Sequence, residues 1–425
     1  MDTKKQVQPR RDFLKSAAAS VGAASLLASS GSAFAGGSDV IKVGLIGCGG
    51  RGRGAMFDAM KADKGVRITA LGDLFPDHLE KAKQALKSEG GEQNALKDAN
   101  CFTGFDAYKQ VIASGVDLVL LATPPHFRPI HLRAAIEAGK HVFCEKPVAV
   151  DSPGVRSVLE SSKLALQKNL NLVSGFCYRH DKPKVETVKR IHEGAIGRII
   201  TLNVNYNTRF LWHKDRQPGW SDMEWQLRNW LYFTWLSGDH IVEQHIHNLD
   251  KAAWVLGGQY PIKAWGMGGR QVRTQKQFGH IYDHHAVCYE YESGQRVFSF
   301  CRQQDGTAVN VSDWIFGEAG TAELMSHTIT GSKPWRFVLK RGSKPLDMYE
   351  AEHLALFGAL RAGKTINDGE FMCKSTMMAI MGRMATYTGQ VVTWDAAMNS
   401  TEDLSPAKYE FGPIKTPPVP MPGIG

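Results

Sequence analysis

Short apolar runs alternate with longer amphipathic segments in the first part of the chain. The apolar runs lie at 41–46, 66–71, 116–122, 142–144 and 171–177, and helix-like segments lie at 53–61, 131–138 and 154–167. Strands that alternate with helices are typical of a parallel, doubly wound sheet. The pattern predicts a Rossmann-type domain over residues 38–178, with ligands at the carboxyl ends of its strands.

The hydrophobic pattern changes after about residue 198. Runs at 199–207, 286–291 and 296–301 alternate between apolar and polar residues, which is typical of an antiparallel sheet with one open face. This predicts a second, α+β domain over residues 179–405 with a large, mostly antiparallel sheet, part of whose C-terminal region packs back on the first domain. A methionine-rich helix at 371–386 should lie in the core or in a dimer contact. Residues 406–425 should form an extended C-terminal arm.

A glycine cluster joins the first predicted strand to the first helix. Gly47 permits a tight turn, Gly49 lets the backbone approach a pyrophosphate, and Gly52 allows close packing of helix on strand. The helix N-terminus then faces the anion. Asp73 ends the second strand, where its carboxylate would accept hydrogen bonds from a ribose and repel a 2′-phosphate. The cluster therefore predicts a dinucleotide site that takes NAD in preference to NADP.

The first 35 residues resemble a twin-arginine export signal. Arg10 and Arg11 precede Phe13, and an alanine- and serine-rich stretch ends at Ala33-Phe34-Ala35, a cleavage pattern of small residues. This predicts a signal peptide over residues 1–35 and a periplasmic protein that is exported folded. An uncleaved anchor and a cytoplasmic chain with a basic tail are the alternatives.

Charge and cysteine content exclude several other classes of protein. The formal net charge is +9, and five basic and two acidic residues in the first 35 account for +3 of it. The rest carries no long basic run, so we expect no nucleic-acid partner. No run of 18 strongly apolar residues exists, so we expect no membrane span. The seven cysteines form no C-x-x-C pair and are expected to be buried free thiols.

Four titratable side chains recur at helical spacing in the second domain. Ser237 would cap one helix on which His240, Glu243, His247 and Asp250 share a face. A solvated face is one alternative to a catalytic site.

A metal site is the other alternative for this helix. Glu243 and His247 have the spacing of helical ligands. However, the segment is not H-E-x-x-H, and His284 and His285 are adjacent rather than spaced for chelation. We therefore expect no metal.

Three further motifs resemble the Gfo/Idh/MocA family, which includes glucose–fructose oxidoreductase and inositol 2-dehydrogenase. They are Ala122-Thr123-Pro124, the run at 138–142 and Glu145-Lys146-Pro147, and the resemblance covers about residues 41–400. Pro125 and Arg128 replace the Asn and His that are frequent in the family, whereas His126 keeps its place.

The resemblance assigns roles to individual residues. It implies that Lys146 and His247 are catalytic, with His247 as general base and Glu243 orienting the sugar or the imidazole. A lysine at a strand end can also be argued to polarise a substrate hydroxyl. The implied cofactor contacts are Gly47, Gly49, Gly50, Arg51, Gly52, Asp73, Thr123, Pro124, His126, Glu145 and Lys146. Candidate substrate contacts are Tyr178, Arg179, His240, Asp250 and Arg302.

These observations predict an NAD-dependent oxidoreductase that acts on a ring hydroxyl of a sugar or polyol. One alternative is a glycosidase that oxidises, eliminates, hydrates and reduces its substrate without net use of NAD. A sugar–sugar oxidoreductase with a tightly bound cofactor and a non-catalytic sugar-binding protein are the others. An aromatic segment at 210–235 would either stack on sugar or pack a small core of its own. The resemblance implies a homo-oligomer, either a dimer or a tetramer.

Overall fold

The computed structural model describes residues 40–340, 342–344 and 346–423, which form two β-sheets. The strands of the first sheet are β1 (Ile41–Ile46), β2 (Val66–Asp73), β3 (Cys101–Thr103), β4 (Leu118–Leu121), β5 (His141–Cys144) and β6 (Leu172–Ser174). They lie in the order β3-β2-β1-β4-β5-β6, and every pair is parallel. This confirms the predicted doubly wound sheet. The predicted export signal lies outside the described residues.

Helices cover both faces of this sheet. They are α1 (Gly50–Ala62), α2 (Pro76–Glu89), α3 (Ala107–Ala113), α4 (Arg128–Glu137) and α5 (Ser152–Gln167), and α6 (Lys182–His192) follows after the last strand. All four residues of β4 are buried, as expected of a parallel strand with helices on both faces. α5 begins where Asp151 accepts a hydrogen bond from the Gly154 backbone N–H at 2.8 Å, which satisfies one free donor of its first turn.

The second sheet has nine strands in the described residues and is mostly antiparallel, as predicted. They are β7 (Ile199–Thr208), β8 (Lys263–Gly269), β9 (His284–Glu290), β10 (Arg296–Gln303), β11 (Asn310–Gly317), β12 (Gly320–Glu323), β13 (Thr328–Gly331), β14 (Trp335–Arg336) and β15 (Val392–Thr393). Their order is β14-β13-β12-β11-β7-β10-β9-β8-β15, and only β7 and β10 pair in parallel among them. The remaining helices are α7 (Asp222–Arg228), α8 (Thr234–Ser237), α9 (His240–Glu243), α10 (Ile246–Val255), α11 (Met348–Arg361), α12 (Gly369–Thr388) and α13 (Trp394–Met398).

Two C-terminal helices pack against the first domain, and one of them also packs on the second sheet. α12, the predicted methionine-rich helix, packs on both α5 and β8, and four of its five methionines, Met372, Met377, Met378 and Met381, are fully buried. This confirms the core position of the methionines. α11 packs on α1 of the first domain, where Arg361 donates to both carboxylate oxygens of Asp63.

The single helix predicted from Ser237 to Asp250 is wrong. Gly238 takes a left-handed conformation that ends α8, and Asp239 rather than Ser237 caps α9 with its side chain. A second break after Glu243 separates α9 from α10. Helical spacing alone did not reveal the first break, because it depends on a left-handed glycine and on side-chain capping.

The cysteines agree with their predicted state. All seven cysteines are free thiols, and all but Cys101 are buried. Among the described residues, no helix combines the length and the apolar character that crossing a membrane requires.

Candidate functional site

The glycine cluster between β1 and α1 has the backbone that a dinucleotide loop needs. Gly47 has φ +97°, and a Cβ there would lie 2.7 Å from the Ala122 backbone. A Cβ on Gly52 would lie 1.8 Å from the carbonyl oxygen of Gly47, so only glycine allows the helix to approach the strand. A Cβ on Gly49 would meet nothing within 4 Å. Open space above Gly49 leaves room for a pyrophosphate at the start of α1.

A cavity lies at the carboxyl ends of the first sheet's strands and contains many of the predicted cofactor contacts. Gly47, Gly49, Asp73, Thr123 and Pro124 all line it. The Asp73 carboxylate accepts backbone N–H bonds from Cys48 at 2.6 Å and Phe75 at 2.8 Å, which fix it on the cavity wall. The open glycine loop and this carboxylate fit the pyrophosphate and ribose of NAD.

Lys146 and Glu243 form an ion pair between the two domains. The Lys146 Nζ atom lies 3.1 Å from Glu243 Oε1 and donates to the Glu243 carbonyl at 2.6 Å. Both side chains are largely buried, at 13% and 16% exposure. Lys146 follows β5, at the same sheet edge as the cavity, whereas Glu243 ends α9 of the second domain. The pair therefore places an ammonium group where the two domains meet.

Glu145 is held beside this pair. Its Oε1 atom lies 2.7 Å from Arg51 Nε, and Gly175 leaves it room, because a Cβ there would lie 2.6 Å from Glu145 Oε2. The Arg51 guanidinium also lies 4.5 Å from the ring centre of Tyr349 on α11. The predicted cofactor contacts Arg51 and Glu145 thus form one ion pair at the start of α1.

His247 lies in α10 with its ring between two aromatic side chains. The ring centres of Tyr178 and Phe176 are 5.1 and 6.2 Å away, both edge to face. Its Nδ1 atom is buried and has no hydrogen-bond partner within the described part of the chain. Burial, and next the charges of Lys146 and Lys251, hold the pKa of His247 well below its usual value. The imidazole is therefore neutral at pH 7 and able to accept a proton.

Sequence reasoning missed three residues that support this site. Lys251 is fully buried, pairs with the buried Asp313, and places its ammonium 4.5 Å from the ring centre of Tyr178. Arg128 is buried and donates to the carbonyl of Pro147, directly after Lys146. No local pattern marks Lys251 or Asp313, because their partners are distant in sequence.

Four of the predicted substrate contacts form hydrogen bonds with other residues of the protein. Arg179 donates two hydrogen bonds of 2.9 Å to Asp250, which is 1% exposed and also accepts from Ser375. His240 is buried against Asp239. Arg302 donates to the Ala308 carbonyl on the sheet surface. Of the five, only Tyr178 contacts His247.

The aromatic segment forms a small core of its own. Tyr232, Phe233 and Trp235 are buried in one cluster with Phe75 of the first domain and Phe278. Leu227 and Trp230 from the same segment reach the cavity wall.

The C-terminal arm crosses from the first domain to the second. The Tyr409 hydroxyl lies 2.8 Å from Nε2 of His126, a predicted cofactor contact that is buried here. Phe411 stacks on Phe75, which lines the cavity, with ring centres 6.1 Å apart. Further along, the Gly412 carbonyl accepts from Met223 N at 3.0 Å and the Pro420 carbonyl from Tyr282 Oη at 2.9 Å. The arm thus lies against the cavity wall and ties both domains together.

Known proteins share this fold and part of this sequence. Residues 41–175 match the family GFO_IDH_MocA, an oxidoreductase family with an NAD-binding Rossmann fold. A glycosyl hydrolase family 109 protein of Shewanella amazonensis is 27% identical over 71% of this chain and 68% of its own length. An inositol 2-dehydrogenase/D-chiro-inositol 3-dehydrogenase of Lactiplantibacillus plantarum is 26% identical over 67% of this chain and 71% of its own. A levoglucosan dehydrogenase solved with NADH and levoglucosan superposes with a TM-score of 0.65, at 17% identity over 84% of this chain and 99% of that one.

The fold combines a Rossmann-type parallel sheet with a second, mostly antiparallel sheet. Its first part matches the model of the Gfo/Idh/MocA oxidoreductase family, and the chain is similar in sequence to inositol dehydrogenases and to a glycosyl hydrolase family 109 protein.

Proposed function

We propose that this protein is an NAD-dependent oxidoreductase that acts on a ring hydroxyl of a sugar or related polyol. The observation that carries the proposal is the Lys146–Glu243 pair, which lies at the same sheet edge as the glycine loop. Burial, and next the charge of Lys146, lower the pKa of His247. An ammonium group can stabilise negative charge on a substrate oxygen, and a neutral imidazole can accept its proton.

The protein's own residues would handle the substrate oxygen and its proton. NAD bound over the glycine loop supplies the hydride acceptor. Lys146 Nζ, held by Glu243, donates to the substrate oxygen and stabilises negative charge on it as the hydride leaves. His247, which its lowered pKa keeps neutral at pH 7, accepts the hydroxyl proton. Asp73, on the cavity wall, favours NAD over NADP because its carboxylate repels a 2′-phosphate.

The second candidate is a redox-neutral glycosidase with a retained cofactor. It would oxidise a ring hydroxyl, eliminate the aglycone, add water to the resulting enone and return the hydride, so no NAD is consumed. The contacts of the C-terminal arm with the cavity wall support it, because they oppose cofactor exchange. A sugar–sugar oxidoreductase would use the same retained cofactor. Of these two candidates with a retained cofactor, the glycosidase is favoured by the Shewanella relative, which is named a glycosyl hydrolase family 109 protein.

Two assays on the purified chain separate these candidates. With added NAD and a panel of inositols and aldoses, a dehydrogenase forms NADH, seen by absorbance, and prefers NAD to NADP. With aryl glycosides, a redox-neutral glycosidase releases the aryl alcohol without net NADH. A chain that binds sugars but shows neither reaction, nor exchange between two sugars, would contradict the proposal in both forms.

We also propose that the chain forms a homo-oligomer through the open face of the second sheet. Six large apolar side chains lie exposed on β8, β10 and β11: Trp265, Met267, Phe298, Phe300, Trp314 and Phe316. A patch of this kind is unusual on a monomer. Analytical ultracentrifugation at micromolar concentration should show a dimer or tetramer, and a monomer would contradict the proposal.

The periplasm is the proposed location, on the strength of the twin arginines. Export of the folded protein would carry bound NAD out of the cytoplasm. The contacts of the C-terminal arm with the cavity wall support such retention of NAD. Fractionation of cells that express the full chain tests this, and a chain found only in the cytoplasm would contradict it.

A further inference from the structure

We propose that Asp239, His240 and His285 bind one divalent metal ion of the zinc class, which fastens the short helix α9 to strand β9. Asp239 precedes α9, His240 is its first residue, and His285 lies in β9. All three are buried, and one ligand atom from each lies within 4.8 Å of the other two. Two imidazoles and one carboxylate are a common donor set for zinc. The inference does not depend on the proposed function.

The hydrogen bonds of His285 leave a lone pair directed at the carboxylate. The Thr386 hydroxyl lies within hydrogen-bond distance of the carbonyls of Gly382 and Arg383, and when it donates to one of them it accepts from His285 Nδ1 at 2.9 Å. In that tautomer Nε2 is an acceptor, and it lies 3.3 Å from Asp239 Oδ1. Two buried acceptors that face each other repel unless a cation lies between them. A metal ion bound to both atoms would remove that repulsion.

The Asp239 carboxylate is held with one oxygen directed at the histidines. Oδ2 accepts the Tyr282 backbone N–H at 2.9 Å and the Tyr387 hydroxyl at 2.6 Å. Oδ1 accepts the His240 backbone N–H and faces both imidazoles. The φ of Asp239 is +77° with ψ 163°, a region that almost only glycine adopts and that costs about 1–3 kcal/mol. An aspartate that persists in this conformation indicates that its carboxylate is needed there.

His240 supplies the third donor. Its Nδ1 lies 2.8 Å from Asp239 Oδ1, and its Nε2 is buried without a hydrogen-bond partner in the described ranges. Donor atoms on a tetrahedral zinc ion lie about 3.3 Å apart. Asp239 Oδ1 lies at similar distances from its two partners, 2.8 Å from His240 Nδ1 and 3.3 Å from His285 Nε2. Small side-chain rotations would therefore complete the site, with water in the fourth position.

A metal at this place would act on the candidate active site through α9. The helix has four residues and ends at Glu243, which binds Lys146. So short a helix has little stability of its own, and an ion that ties its first turn to β9 would hold Glu243 in place. The sequence pattern missed these ligands, because His240 and His285 come from separate elements.

The metal content of the purified wild-type chain tests the proposal directly. After incubation with zinc chloride and desalting, inductively coupled plasma mass spectrometry should find about one zinc per chain. Removal of the ion with a chelator should lower Tm by about 5 °C, and zinc should restore it.

Variants then locate the ion. His285→Ala and His240→Gln should each lose the bound zinc and the effect of chelator on Tm. The matched control is His284→Ala, which removes the neighbouring, partly exposed histidine that binds Asp283 instead and should keep one zinc. A wild-type chain without zinc would overturn the proposal. In that case a proton on His285 Nε2, rather than a metal ion, would lie between this atom and Asp239 Oδ1. Zinc retained by both variants would overturn it as well, by placing the ion elsewhere.

Discussion

Replacement of Lys146 by alanine should lower kcat/KM by about a thousandfold or more, equivalent to about 4 kcal/mol of transition-state stabilisation. The side chain is largely buried, and its ammonium group is directed at Glu243. Without it, no cation would stabilise the substrate oxygen, and the Glu243 carboxylate would keep a buried negative charge without its partner. The measurement is the initial rate with whichever substrate the NADH and aryl glycoside assays identify.

Two further variants separate catalysis from loss of charge or fold. Lys146→Arg keeps the charge but misplaces it, and should recover only a small part of the rate. Lys168→Ala removes an exposed lysine that binds the Glu137 carbonyl and should leave the rate unchanged. Wild-type kcat/KM in a folded Lys146→Ala chain would refute the mechanism for both proposed reactions.

Removal of the C-terminal arm by a stop after Asp403 should turn a retained cofactor into an exchangeable one. The arm contributes Phe411, which stacks on Phe75 of the cavity wall, and Tyr409, which binds His126. We expect the intact chain to keep NAD through purification. The truncated chain should release it at least about tenfold faster, because loss of these contacts removes more than 1.4 kcal/mol from the bound state. The measurement is the absorbance and mass of the cofactor that remains after desalting.

Point variants show whether the contacts of the arm are themselves responsible for the retention of NAD. Phe411→Ala and Tyr409→Phe should each speed release, whereas Met421→Ala, at a side chain that is 61% exposed, should not. Equal retention by intact and truncated chains would show that the arm has no part in holding NAD. An intact chain that is purified empty would favour a dehydrogenase with diffusible cofactor over the redox-neutral reactions.

Sequence reasoning succeeded where a structural feature is encoded by a few adjacent residues. The glycines of the first loop have the roles expected of them, because a left-handed turn at Gly47 and close packing at Gly52 each require the absence of a Cβ at a single position. The alternation of strands and helices predicted the first sheet, and the alternation of apolar and polar residues predicted the second, since side-chain periodicity follows directly from backbone geometry. It failed at 237–250, where Gly238 and Asp239 break the helix in ways that spacing does not show.

The sequence by itself determined the Rossmann domain, the dinucleotide loop, the buried cysteines and the methionine-rich core helix, because local periodicity and turn chemistry are sufficient for these. Only the tertiary structure decided which polar side chains are partners. It paired Lys146 with Glu243 across the domains and Arg179 with Asp250. It also placed the arm against the cavity and His285 beside Asp239. Residues far apart in the chain meet only when whole elements pack, and no short stretch of sequence carries that information.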